Sequence, residues 1–204
     1  MIRLIRKTTE SAITVEIENG PVKSDYRAAI NTPAAFLSHM IEHIVWRSGI
    51  NIAVNVELDK FFLSHVVCED LGQTLGRALA RHAETSAARG YGDACAVIDE
   101  AKAHCAISLE ERSYFDLDAS FTLPEVVEGM ASEDLKVFLD GFAQGARATV
   151  HVDIKKGENA HHIWEAAFRA FGSAVGIAFA HDEKRADMTA GVAGKIEYIF
   201  EEEH

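Results

Sequence analysis

The chain has 204 residues, 48% of them hydrophobic and 25% charged, which is the composition of a globular protein of one or two domains rather than of a disordered one. A formal net charge of −12 without basic patches argues against binding to a nucleic-acid backbone. No apolar run reaches the ~18 residues of a membrane span, and MIRLIRKTTES at the start lacks the apolar stretch of a signal peptide, so a cytoplasmic location is expected.

Period-2 alternation predicts strands at Ile13, Val15 and Ile17, and again at Ile52, Val54, Val56 and Leu58. Further alternation is seen at Phe115, Leu117, Ala119 and Phe121, at Val150, Val152 and Ile154, and at Ile196, Tyr198 and Phe200. The helical period places one stripe on Phe36, Leu37, Met40, Ile41 and Ile44 and a second on Leu71, Leu75 and Leu79. A third lies on Leu135, Phe138, Leu139 and Phe142, and a fourth on Ala167, Phe168, Phe171 and Val175. Strands and helices mix without strict alternation, which predicts an α+β fold with helices gathered on one face of mostly antiparallel sheets. Three cysteines, Cys68, Cys95 and Cys105, with no Cys-x-x-Cys pair, do not make a disulfide framework.

The chain repeats itself. NVELDKFFLSHVVCEDLGQTLG (Asn55 to Gly76) and HVDIKKGENAHHIWEAAFRAFG (His151 to Gly172) superpose without a gap. Each carries a strand, a loop, His-x-x-x-Glu and a glycine seven residues after the glutamate. Upstream of each lies a helix beginning near Phe-Leu, FLSHMIEHI and FLDGFAQGA. Two strand–helix half-domains are expected, residues 1–92 and 93–204, forming one compact unit.

His65/Glu69 and His161/Glu165 are i,i+4 pairs, so each puts an imidazole and a carboxylate on one helix face. One such pair is usually a solvated ion pair. Two at equivalent places in a repeat, with His162 next to His161, His151 on a strand and His39 on a helix, point to a divalent-metal site. Mixed imidazole and carboxylate ligands suit manganese, iron, nickel or zinc, and the absence of thiolate clusters disfavours structural zinc. His43, His82, His104, His181 and His204 fit no paired pattern and read as structural or solvated.

Several segments together resemble the imidazoleglycerol-phosphate dehydratase family. RKTTESAITVEI resembles its opening strand R-x-T-x-E-T-x-I, and INTPAAFLSHM resembles I-x-T-G-x-x-F-x-D-H-M. SHVVCEDLGQTLGRAL resembles D-H-H-T-x-E-D-x-G-x-x-L-G-x-A, and IDEAKAHCAISLEER resembles M-D-E-A followed by a D-x-S-G-R turn. TVHVDIKKGENAHHIWEAAFRAFGSAV, the most specific, resembles T-L-H…G-x-N-x-H-H-x-x-E-x-x-F-K-A. The resemblance implies a duplicated α+β unit of the ribosomal protein S5 domain 2-like type. It implies a large symmetric homo-oligomer, a 24-mer, with sites between subunits, two Mn2+ ions and a small phosphorylated imidazole substrate. The reaction implied is the dehydration of imidazole glycerol phosphate to imidazole acetol phosphate in histidine biosynthesis, by a hydro-lyase. Carried over by position, one ion takes His65, Glu69, His151 and His162, and the other takes His39, His161 and Glu165. Glu10 holds the acid/base position, and Arg112, Arg169, Arg89 and Lys195 are the candidates for binding substrate.

The departures cluster. The family's tandem histidine is His65-Val66 here, so the second ion loses a ligand. Arg89 is displaced by one position, Arg169 replaces a lysine, and the S-x-K-G phosphate loop is not clear in MTAGVAGKIEY. Two readings stay open: a divergent dehydratase, or a metal-binding paralogue with another substrate or no catalysis. A non-enzymatic storage or scaffold shell is disfavoured, because unpaired histidine–carboxylate clusters are costly to bury without a ligand.

Overall fold

The computed structural model describes residues 1–194 and 196–201. Two runs of elements follow the same order. The first comprises β1 (Ile2–Lys7), β2 (Ser11–Glu18), β3 (Ile30–Asn31), α1 (Ala35–Ser48), β4 (Asn51–Leu58) and α2 (Ser64–Ser86). The second comprises β5 (Tyr91–Ile98), β6 (Ala101–Ser108), β7 (Tyr114–Ala119), the short hairpin β8 (Val126–Val127) and β9 (Met130–Ala131), α3 (Ser132–Ala146), β10 (Thr149–Lys156) and α4 (Ala160–Ala178). The two four-stranded sheets have equivalent orders, β1-β2-β4-β3 and β5-β6-β10-β7. In each, the last pairing is parallel and the others antiparallel.

Alternation does what it predicts. Ile13, Val15 and Ile17 turn inward along β2, and Val150, Val152 and Ile154 along β10. The helices cover these inner faces: α2 lies on β1 and β2, and α4 on β5 and β6. The halves meet helix to helix, α1 on α4 and α2 on α3. Phe138, Phe142, Phe168, Phe171 and Trp164 fill the shared core, with Phe142 edge-on to Phe171 at 4.8 Å between centroids.

Three expectations need correction. The segment Arg6–Ile17 is not one strand: the chain turns at Thr8–Glu10, where Thr8 Oγ1 accepts the backbone N–H groups of Glu10 and Ser11. The alternation at Ile196, Tyr198 and Phe200 makes no strand among the described residues. Ile199 interrupts its polar face, no ladder partner lies alongside, and Tyr198, Ile199 and Phe200 stay exposed. Third, β5 and β6 are additional strands. The inward face of β6 is Ala101, Ala103, Cys105 and Ile107; the alanines and the cysteine are small and carry little strand signal.

Candidate metal and substrate site

The start of α4 is built locally. Asn159 is the N-cap, its side-chain oxygen accepting the backbone N–H groups of His161 and His162. This satisfies donors that a helix start leaves unpaired and fixes both histidines in the first turn. One turn on, Glu165 is buried, its carboxylate reached by α1 and by Arg169.

Three imidazoles surround that carboxylate. His161 Nε2 lies 3.2 Å and His39 Nε2 3.7 Å from Glu165 Oε2, and His43 Nε2 lies 3.1 Å from Oε1. His39 and His43 rings stand edge to face at 4.7 Å, and His39 and His161 rings are tilted at 5.3 Å. Burial raises the Glu165 carboxyl, but the charges of His43, Arg169 and His39 outweigh it and leave its pKa lowered. Burial pushes His43 down to about 4, so its imidazole is neutral near pH 7, the form that binds metals.

The outer nitrogens face carboxylates. His39 Nδ1 lies 3.2 Å from Glu42, His161 Nδ1 3.1 Å from Glu128 and His162 Nδ1 2.8 Å from Glu100. At longer range, His65 Nδ1 faces Asp134 and His151 Nδ1 faces Asp116, both at 3.7 Å. A carboxylate on Nδ1 orients the ring and leaves Nε2 as the ligand atom, the arrangement common around bound metals. Glu100 is itself fixed: backbone N–H groups of Asn159 and Glu158, with His162, hold its carboxyl at about 2. These orienting acids escaped the sequence reading, except that Glu100 sits in the IDEA segment that resembles M-D-E-A.

The structure brings His39 and His161 each to Glu165, and adds His43. Among the described residues, His39, His43 and Glu165 form the one trio whose ligand atoms all lie within 4.8 Å of one another. Within one chain it does not gather His65, Glu69, His151 and His162. The His65 and Glu69 pair is open, at 4.0 Å with the side chains 57% and 42% exposed, while His151 lies on the outer face of β10 and His162 on α4.

Glu10 lies between β1 and β2, its carbonyl held by the backbone N–H of Asp59. It lines a cavity of ≈ 280 Å³ with Lys60, Phe61, Leu63 and Val66, at the start of α2. Val66 therefore sits beside Glu10. Arg112 and Arg89 are exposed. Arg169 is committed inward, to Glu165 and to the Val97 carbonyl at 3.0 Å. Lys195 lies outside the described residues.

A sequence model of the family described as imidazoleglycerol-phosphate dehydratase matches residues 32–175. An imidazoleglycerol-phosphate dehydratase from Hydrogenovibrio crunogenus is 32% identical over 193 residues, 94% of this chain and 96% of that protein. One from Caldivirga maquilingensis is 37% identical over 177 residues, 85% of this chain and 88% of that protein. The crystal structure of the Pyrococcus furiosus enzyme superposes with a TM-score of 0.76 at 30% identity, covering 95% of this chain and all of that one.

Proposed function

The chain belongs to the imidazoleglycerol-phosphate dehydratase family, and from that membership we infer that it is a hydro-lyase of histidine biosynthesis, converting imidazole glycerol phosphate to imidazole acetol phosphate. The observation that carries this reading is the cluster of imidazoles around buried Glu165, each of the outer rings backed by a carboxylate. Neutral nitrogen donors with one carboxylate fit a divalent transition metal, and we take Mn2+ as the ion. The buried, unpartnered Nε2 of His43 is what an occupied site would satisfy.

A metal bound there supplies Lewis acidity toward the substrate imidazole. The chain's own residues do the rest. Glu10 removes a C–H proton and returns a proton to the departing hydroxyl, which leaves as water; the enol so formed tautomerises to the ketone. It lines a cavity with apolar Phe61, Leu63 and Val66. Exposed Arg112 and Arg89 are our candidates for the phosphate, with Lys195 a candidate by resemblance alone. Arg169 acts differently, holding the Glu165 carboxylate in place.

We further propose a large symmetric homo-oligomer. The separation of the His65/Glu69 pair from His151 and His162 within one chain supports a first metal site completed by a neighbouring copy. Exposed Phe61 and Leu63 beside the His65 helix start supply apolar surface for that contact. The test is turnover of imidazole glycerol phosphate at saturating Mn2+, with metal analysis of the same sample. Imidazole acetol phosphate as product is expected. Bound metal without product at high substrate would favour the paralogue.

A further inference from the structure

We propose that His43 is a metal ligand, supplying from within the chain the imidazole that Val66 no longer offers to the site of His39, His161 and Glu165; this rests on the metal site proposed above. Four observations carry it. First, the geometry fits. Donors ~2.1 Å from one ion stand roughly 3.0–3.4 Å apart in octahedral or tetrahedral coordination; the ligand atoms of His39, His43 and Glu165 all lie within 4.8 Å of one another, His43 and His39 being 3.1 and 3.7 Å from the carboxylate, and His161 touches the same carboxylate at 3.2 Å.

Second, His43 Nε2 is buried without a hydrogen-bond partner, although Glu165 is close. The near oxygen, Oε1, is already engaged by Arg169. A buried nitrogen of this kind is rarely left unsatisfied, and its lone pair is available to an ion.

Third, His39 and His43 are one helical turn apart on α1, so both face α4 from a rigid element. Two ligands on one face are preorganised in the way His161 and Glu165 are on α4.

Fourth, helix packing does not demand these histidines. In the repeat, FLSHMIEHI aligns with FLDGFAQGA, which places Gly141 and Gly145 of α3 opposite His39 and His43. At α2–α3 those glycines let the backbones touch: a Cβ on Gly141 would lie 2.6 Å from the Glu69 carbonyl oxygen, and one on Gly145 would meet that of Gln73. Where the same helix pair has only to pack, it uses glycine. Where it carries a buried carboxylate, it presents two imidazoles.

The test uses the assembled protein, stripped with chelator and titrated with Mn2+ by calorimetry, with bound metal counted after gel filtration. The wild type is expected to hold two ions per chain. His43→Gln is expected to lose one, with affinity at that site weaker by at least about 10-fold. The Mn2+-induced rise in melting temperature should shrink while the metal-free melting temperature stays unchanged. Wild-type binding of both ions by His43→Gln would overturn the assignment. His39→Ala separates the failures. If it loses an ion and His43→Gln does not, only the role of His43 falls; if neither does, the site itself falls. Should His43→Gln not fold, pulsed EPR of the Mn2+-loaded His162→Ala variant with 15N-histidine decides: three imidazole nitrogens on the remaining ion support the proposal, and two overturn it.

Discussion

The two helix pairs joining the halves are equivalent in the repeat and opposite in use. At α2–α3, Gly72, Gly76, Gly141 and Gly145 bring backbone against backbone along the crossing. At α1–α4, close approach is confined to Gly172 and Gly176, near the ends of the helices, where they meet backbone atoms of His43, Ile44 and Ser48. Nearer the start of α4, the side chains of His39 and His43 reach Glu165 instead. The same difference separates the two His-x-x-x-Glu pairs. His161 and Glu165 are drawn to 3.2 Å with the glutamate side chain only 6% exposed, whereas His65 and Glu69 remain at 4.0 Å in solvent. One fold unit, used twice, thus gives one pair a preformed environment and leaves the other exposed.

The largest expected effect lies at the open end, where Glu10 and Val66 share a cavity. Glu10→Gln should lower turnover by about 10²–10⁴-fold while metal content, measured in the same preparation, stays at the wild-type level. A matching loss of metal would mean that the acid and the metal centre are not separate regions.

Next is the packed crossing. Gly76→Ala drives a methyl into the Phe142 carbonyl and should cost about 3 kcal/mol, near the top of the range for overpacking. For a chain of this size that lowers the melting temperature by about 6–12 °C. Gly172→Ala meets backbone atoms of His43 and Ile44 at 2.9 Å and should cost roughly 1 kcal/mol. Equal losses would show the two crossings to be equally tight.

His162→Ala should remove one ion per chain and leave the other if, as we propose, His162 joins His65 in the first site. Val66→His should leave the number of ions unchanged, since His43 already occupies that role; a gain of an ion would contradict it. The smallest effect is chemical. Burial pushes the Cys68 thiol up to about 12 and raises that of Cys105 also. At pH 8 both stay buried thiols, so a disulfide reagent should label one cysteine in three, exposed Cys95.

The halves were legible because Ile and Val mark one face of β2, β4 and β10 at period 2, and because the repeat runs without a gap from Asn55 to Gly76 and from His151 to Gly172. The β5–β6 hairpin was not, since alanine and cysteine form its inner face. Ile196 to Phe200 misled because alternation reports faces, and a strand also needs a neighbour. His161 and Glu165 could be paired from spacing alone. His43 could not be valued the same way: it stands four residues after His39 on a helix, the same signal, but its carboxylate comes from α4, far away in sequence. The orienting acids are hidden for that reason too, Glu128 and Glu100 being brought to His161 and His162 only by the fold.

The most direct measurement is a crystal structure of the Mn2+-loaded protein with anomalous diffraction at the manganese edge. The account predicts an anomalous peak between α1 and α4, about 2.0–2.3 Å from His39 Nε2, His43 Nε2 and a Glu165 oxygen. A peak ligated by His39, His161 and Glu165 with the His43 ring turned away, or no peak there at all, would contradict it.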